Sequence, residues 1–122
     1  MFFEENKMLN VTKHPIRFQS ASGEVYELQP SGVVIDARFH EVNMGFHLGS
    51  GVQLVRAKVV PTVESEEQLK KLEAEHLGEL IVGSLIAAQA FPGRVVAMIA
   101  ADGFERVPPD QKRMRDDKFT VF

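Results

Sequence analysis

The sequence predicts a mixed α+β domain with a mainly antiparallel β-sheet and two short α-helices. Residues 9–60 contain short runs of β-branched and aromatic residues separated by turn residues, which is typical of consecutive strands. Residues 65–78 place leucines at helical spacing, and residues 80–91 form the most apolar stretch of the chain. Because the first strands come together before any helix, this order favours an antiparallel meander over regularly alternating strands and helices.

Five strands are predicted before residue 61, and turn residues separate them. Ser22-Gly23 predicts the tight turn of a hairpin, since glycine adopts a positive φ without a Cβ clash. A second turn is predicted at Pro30-Ser31-Gly32. Glycines predict a flexible loop over residues 41–51. The predicted strands are residues 9–11, 16–18, 25–28, 33–39 and 52–60.

Both predicted helices have capping signals. The first is predicted to begin at Ser65, which Gln68 follows in the capping-box position, and to end at Gly78. The second is predicted to begin at Ser84, directly after a buried strand over residues 80–83, and to end at Pro92-Gly93. Further strands are predicted at residues 94–100 and 119–122, with a polar loop over residues 102–117 between them.

The composition is typical of one small globular domain, because 122 residues are too few for two domains that each bury a full core. Residues 9–122 are predicted to form this domain, and residues 1–8 an N-terminal extension. Seventeen acidic against fourteen basic side chains leave a net charge of −3, which argues against binding to a polymeric nucleic acid. No apolar run approaches the roughly 20 residues of a transmembrane helix, so no membrane partner is expected.

The chain contains no cysteine, which excludes disulfides and thiolate chemistry. Its four histidines lack the spacing of a zinc-binding helix, and no metal or other cofactor is predicted. Acidic residues occupy the positions where a signal peptide carries basic ones, so a cytoplasmic location is expected.

Two side chains have both a structural and a chemical interpretation. Ser84 follows a glycine but lacks the second glycine of a nucleophile elbow, which favours a helix cap. His14 precedes Pro15, which favours a structural turn histidine over a general base.

A cluster of charges near the C-terminus is the strongest candidate site. Arg113 and Arg115 follow Lys112 and are mixed with Asp116 and Asp117. Guanidinium groups bind phosphate oxygens, and carboxylates accept hydrogen bonds from ribose hydroxyls or an adenine amino group. This combination fits a nucleotide pocket, while the alternative is a surface turn with weak ion pairs.

Phe91, at the end of the second predicted helix, also has two interpretations. It is either a core anchor or an aromatic platform for a base.

A series of short motifs extends the nucleotide hypothesis. In chain order they are Asn10-Val11-Thr12-Lys13-His14-Pro15, Pro30-Ser31-Gly32, Ala37-Arg38, Ile81-Val82-Gly83-Ser84 and Arg115-Asp116-Asp117. With this series the chain resembles, over residues 9–122, the small phage proteins of the Thoeris anti-defence family, which act as sponges for cyclic ADP-ribose signals.

The resemblance implies a protein without enzymatic activity that binds a cyclic ADP-ribose signal in the cytoplasm of the bacterial host and releases it intact. The host's NAD-depleting effector then stays inactive. Some relatives also bind cyclic oligonucleotides at a second site. The family assembles from dimers into larger homo-oligomers with pockets at subunit interfaces, so a homo-oligomer is expected here.

The resemblance also assigns roles to individual residues. Phe91 corresponds to the base-stacking aromatic, and Arg115 with Asp116 corresponds to the phosphate and ribose pair. Arg38 and Arg113 are further candidates for phosphate contacts. Ser84 and Asp102 complete the predicted ligand-binding set, although the loop around Asp102 departs from the family pattern.

Two other classes of function fit the same sequence. A nucleotide hydrolase or lyase would use Asp102, Asp116 or His14. A structural or protein-binding module would instead use exposed aromatic residues as an oligomer interface, and the candidates are Phe2, Phe3, Phe91 and Phe122.

Overall fold

A six-stranded mixed sheet, a separate two-stranded ribbon and two helices make up the computed structural model, which describes residues 8–122. The mixed α+β class with two α-helices and mainly antiparallel sheets is therefore confirmed. The elements are β1 Met8–Asn10, β2 Ile16–Gln19, β3 Val25–Leu28, β4 Ala37–Phe46, β5 Gln53–Pro61, α1 Val63–Glu75, β6 Leu80–Gly83, α2 Leu85–Ala90, β7 Val96–Ala100 and β8 Met114–Thr120.

The six-stranded sheet has the order β1-β6-β7-β8-β2-β3. Pairs β2–β3 and β7–β8 are antiparallel, while β1–β6, β6–β7 and β2–β8 are parallel. The predicted hairpin at Ser22-Gly23 is confirmed, but the meander is wrong beyond it. β1 pairs with β6, more than 60 residues later in the chain, and short strands in the sequence carry no signal for such a distant partner.

Asn10 joins the two outer strands of this sheet. Ser31 donates its N–H to the Asn10 carbonyl oxygen at 2.9 Å, and Asn10 Nδ2 donates to the Leu28 carbonyl at 3.0 Å. A parallel bridge between Asn10 and Pro30 brings the end of β3 against β1. The sheet therefore closes on itself as a small barrel.

The closed sheet has an apolar cluster on each side. The inner cluster centres on Phe18, whose ring lies 5.7 Å from the Tyr26 ring and 6.1 Å from the Phe119 ring. The outer cluster lies between the sheet and the two helices, with Leu69 of α1 fully buried. The packing around Gly83 is so close that a Cβ there would lie 2.7 Å from a Val95 methyl group and 3.4 Å from the Ala87 Cβ of α2.

Capping explains where the helices begin. α1 begins two residues before the predicted position, because Thr62 rather than Ser65 is its N-cap and accepts the Ser65 N–H at 3.0 Å. Ser65 is buried instead, and its hydroxyl accepts the Asp36 N–H at 3.1 Å. The predicted cap of α2 is confirmed, since Ser84 accepts the Ala87 N–H at 3.1 Å.

β4 and β5 form an antiparallel ribbon with eight registered residue pairs, and we call residues 37–61 the ribbon arm. The loop predicted over residues 41–51 is wrong, because β4 continues to Phe46 and only a short turn follows. Gly45 has a φ of 99° at an irregularity in the register, which explains how a glycine lies inside a strand.

The C-terminal strand is longer than predicted. It begins at Met114, so Arg115, Asp116 and Asp117 lie in β8 rather than in a loop. The first strand begins one residue earlier than predicted, at Met8. Residues 1–7 of the predicted N-terminal extension, with the interface candidates Phe2 and Phe3, lie outside the described residues. Over residues 8–122, no helix has both the length and the apolar character needed to cross a membrane.

We predict that Asn10→Ala lowers the free energy of unfolding by about 2–4 kcal/mol, because two carbonyl groups and the Thr12 N–H lose a buried partner. Urea denaturation measures this change. Asn43→Ala is the matched control, since Asn43 lies exposed in the ribbon arm, and it should cost roughly 0.5 kcal/mol or less. Equal losses in the two variants would contradict the closing role of Asn10.

Candidate functional site

A groove of about 700 Å³ lies at one end of the barrel. The parallel strands β1 and β6 end there, and β2 and β8 begin there, so four chain segments converge on the same place. This volume lies within the range of about 300–1,000 Å³ that is typical of small-ligand sites. The lining residues are Thr12, His14, Pro15, Ile16, Arg17, Glu27, Ser84, Met98, Pro109, Asp110, Lys112 and Met114.

The loop that carries His14 is held rigidly by Asn10. Asn10 Nδ2 donates to the His14 carbonyl at 2.8 Å, while Asn10 Oδ1 accepts the Thr12 N–H at 2.9 Å and the Thr12 hydroxyl at 2.6 Å. The His14 carbonyl is thus fixed while its ring stays exposed at the groove. The predicted structural role of the turn is supported, and the same turn presents an imidazole to the groove.

The groove combines an apolar floor with charges of both signs. Ile16, Met98 and Met114 supply the apolar surface. Arg17 lies 3.5 Å from Glu27 in an ion pair, and Lys112 donates to the Glu105 carbonyl. A surface of this kind can contact a planar apolar group and, at its rim, both anionic groups and hydroxyls.

Ser84 is the one predicted site residue that lines this groove. Its oxygen caps α2, and it is an exposed residue at the end of β6. The Ser84 oxygen accepts the Ala87 N–H, while its hydroxyl proton can rotate towards another acceptor. Ser84 can therefore cap the helix and donate a hydrogen bond to a ligand at the same time.

Arg115 and Asp102 line a different, smaller cleft of about 190 Å³. Arg115 Nε donates to Asp117 Oδ1 at 2.9 Å, and its Nη2 donates to Asp117 Oδ2 at 3.0 Å. These hydrogen bonds lower the pKa of Asp117 and raise the pKa of Arg115. The guanidinium is therefore already bound by a carboxylate, and a phosphate would have to displace it.

Asp116 is separated from Arg115 by the alternation of a strand, in which neighbouring side chains point to opposite faces. It accepts a hydrogen bond from the Tyr26 hydroxyl at 2.8 Å. Burial and this carboxylate raise the pKa of Tyr26 far above its ordinary value. The predicted Arg115 and Asp116 pair therefore does not converge on one ligand, because both side chains lie in β8 at adjacent positions.

The remaining predicted arginines lie outside both cavities. Arg113 donates to Gln19 Oε1 at 3.0 Å and lies 4.7 Å above the Phe104 ring. Arg38 is exposed on the ribbon arm, which belongs to the separate sheet. The structure thus distributes the predicted phosphate contacts over three regions instead of one.

Phe91 is a core residue, and the predicted stacking platform is wrong for the observed fold. Only 2% of its surface is exposed, and the Arg94 guanidinium lies 5.5 Å from its ring centroid. Arg94 in turn binds Glu73 at 2.8 Å and Glu66 at 3.1 Å on α1. Phe91 borders a cavity of about 560 Å³ beside α1, but its low exposure and the Arg94 guanidinium over the ring leave almost no ring surface for a base.

Sequence reasoning missed the groove, although some of its residues were in view. His14 and Thr12 belong to the Asn10–Pro15 motif, and Lys112 belongs to the C-terminal basic cluster. Nothing in the sequence singled out Arg17 as a site residue, because it lies on the solvent-facing side of a predicted strand.

Comparison with known proteins supplies no assignment, since no family model, curated protein or solved structure matches the chain. The resemblance to the phage sponge family therefore remains a prediction. Within residues 8–122, no three His, Asp or Glu side chains group as metal ligands.

We predict that Arg94→Gln lowers the free energy of unfolding more at pH 7 than at pH 3. Hydrogen bonds from Arg94 hold the pKa of Glu73 below its ordinary value, so the pair stabilises the fold above that value and loses this effect as the pH falls through the folded-state pKa. Because both side chains are about one third exposed, the difference should be on the order of 1 kcal/mol or less. Urea denaturation at both pH values measures it, with exposed Arg106→Gln as the control that should leave the pH dependence unchanged.

Proposed function

We propose that this protein is a non-enzymatic binding protein that captures a small nucleotide signal of the cyclic ADP-ribose class in the barrel-end groove. The observation that carries the proposal is the combination in one groove of an apolar floor, two cations and two carboxylates. The resemblance suggests the ligand class, and the lining of the groove supports this position for the proposed site.

Each part of such a ligand has a matching surface in the groove. The apolar floor around Met98 and Met114 suits a base, since thioethers adapt to flat aromatic surfaces. Arg17 and Lys112 suit phosphate oxygens, which would compete with Glu27 for Arg17 and with the Glu105 carbonyl for Lys112. The carboxylates of Glu27 and Asp110 suit ribose hydroxyls. Small nucleotides need all three kinds of contact, whereas a purely apolar ligand would leave the charged rim unpaired.

Capture without cleavage needs complementarity to the unreacted ligand. An enzyme in the same groove would use His14 as a base or acid, and the Asp102 and Asp116 alternatives lie elsewhere in the fold. The enzyme is therefore the second outcome of the same experiment. Sequestration would act in the cytoplasm of an infected host cell, and the expected homo-oligomer belongs to the same proposal.

We predict that the protein binds cyclic ADP-ribose or one of its glycocyclic isomers and releases it unchanged on heating. Isothermal titration calorimetry measures binding, and chromatography of the heat-released ligand measures its integrity. Replacing a groove cation, as in Lys112→Met or Arg17→Met, should weaken binding by about 1–3 kcal/mol, or roughly 5- to 150-fold, because a charged hydrogen bond is lost.

Arg115→Ala is the matched variant for the smaller cleft and should leave affinity unchanged. If Arg115→Ala weakens binding while the groove variants do not, the ligand binds in the smaller cleft and the groove assignment is wrong. If the released ligand is hydrolysed, the protein is an enzyme. If no cyclic nucleotide raises the melting temperature, the binding proposal itself fails.

A further inference from the structure

The outer half of the ribbon arm exposes an unusual amount of apolar surface. Residues 42–55 contain no Asp, Glu, Lys or Arg. Seven large apolar side chains in this segment are between 40% and 101% exposed, and they are Val42, Met44, Phe46, Leu48, Val52, Leu54 and Val55. These side chains lie on both faces of the ribbon, because Val42 and Val55 occupy opposite faces in the strand register. A concentration of exposed apolar side chains of this kind marks an interaction site.

The backbone of the arm is also incompletely paired. Within residues 8–122, β4 and β5 pair only with each other, so each strand has one edge that no other described strand pairs. A two-stranded ribbon is marginally stable on its own in water, and open edges are templates for further strands. Both features indicate that the arm is completed by another protein surface.

The inner half of the arm is basic on one face. The register pairs His40 with Lys58 and Val42 with Arg56, which places Arg38, Arg56 and Lys58 on the same side. No ion pair within residues 8–122 involves these three cations. Arg38, Arg56 and Lys58 against Glu41 give the arm a net charge of +2, so the rest of the chain carries −5.

The first two turns of α1 expose two carboxylates, and the exposed Lys70 and Lys71 follow them on the next turn. Glu64 and Glu67 are exposed, while Glu66 and Glu73 bind Arg94. Among the described residues, Glu64 and Glu67 take part in no ion pair, and the exposed Val63 lies beside them. The chain therefore carries both halves of a complementary contact.

We propose that the ribbon arm binds a second copy of this chain, with its basic inner face on the partner's α1 and its apolar outer half against the partner's surface. A two-fold arrangement lets each arm bind the other copy, so that both contacts form at once. The proposal assigns an interface to the homo-oligomer that the proposed function includes, but its test needs no groove ligand and can fail without affecting the groove assignment.

Other occupants fit the arm less well. Insertion into a lipid bilayer would bury the open strand edges where no group can pair them. Binding of a nucleic acid needs cations along the contact, but the outer half has none. A second copy offers the carboxylates of Glu64 and Glu67 to the arm's cations and a protein surface to its apolar side chains.

Charge exchange between two variants tests the arrangement. Variant one carries Arg56→Glu and Lys58→Glu, and variant two carries Glu64→Lys and Glu67→Lys. Each variant alone places like charges at both contacts and should raise the dimer dissociation constant at least tenfold, as measured by analytical ultracentrifugation. An equimolar mixture should form a heterodimer with a dissociation constant close to that of the wild-type dimer. In this heterodimer one contact has its two charges exchanged and the other keeps the wild-type charges, so both are attractive.

Two controls keep the test decisive. Arg106→Glu with Lys118→Glu changes exposed charges outside the arm and should leave the wild-type mass unchanged. Leu48→Lys, at the fully exposed tip, should weaken the dimer without altering the circular dichroism of the fold. A monomeric wild-type protein, a mixture that does not recover, or wild-type protein that floats with phosphatidylcholine and phosphatidylserine vesicles without self-association would overturn the proposal.

Discussion

The barrel depends on one buried amide, that of Asn10. Its side chain is 1% exposed and bonds to three other residues, while its backbone carbonyl accepts a fourth. These bonds fasten β3 against β1 and fix the turn that carries His14. A buried polar group is tolerated only when its hydrogen bonds are made, so the same contacts that close the sheet also specify how it closes. The groove forms because this closure brings the segments that line it to the same end of the barrel.

Local signals predicted most of the elements but not their partners. The turn at Ser22-Gly23 and the cap at Ser84 follow from rules that involve neighbouring residues, and both are correct. The pairing of β1 with β6 depends on contacts across about 70 residues, which no local pattern encodes. The ribbon arm was misassigned around Gly45 because a glycine in a strand irregularity looks like a glycine in a loop.

The site was harder to predict than the fold, and for a different reason. Arg115 and Asp116 are neighbours in the sequence, but consecutive side chains of a strand point to opposite faces of the sheet. Phe91 ended a helix as expected, yet whether such a ring faces a cavity or the core depends on Arg94 and on α1, which packs against it. Arg17, Ser84 and Lys112 line the same groove because four chain segments converge at that end of the barrel. Their spacing in the sequence gives no indication of this.

The position of β8 has a consequence for how the chain is made. This strand lies between β7 and β2, so the β2–β3 hairpin joins the helical half of the barrel through a strand that is synthesised long after the hairpin itself. Contacts between distant parts of a chain slow folding, and here the barrel has no complete ring until β8 has been synthesised. During this interval the apolar faces of the unclosed sheet are exposed, and transiently exposed apolar surface makes a chain prone to aggregation.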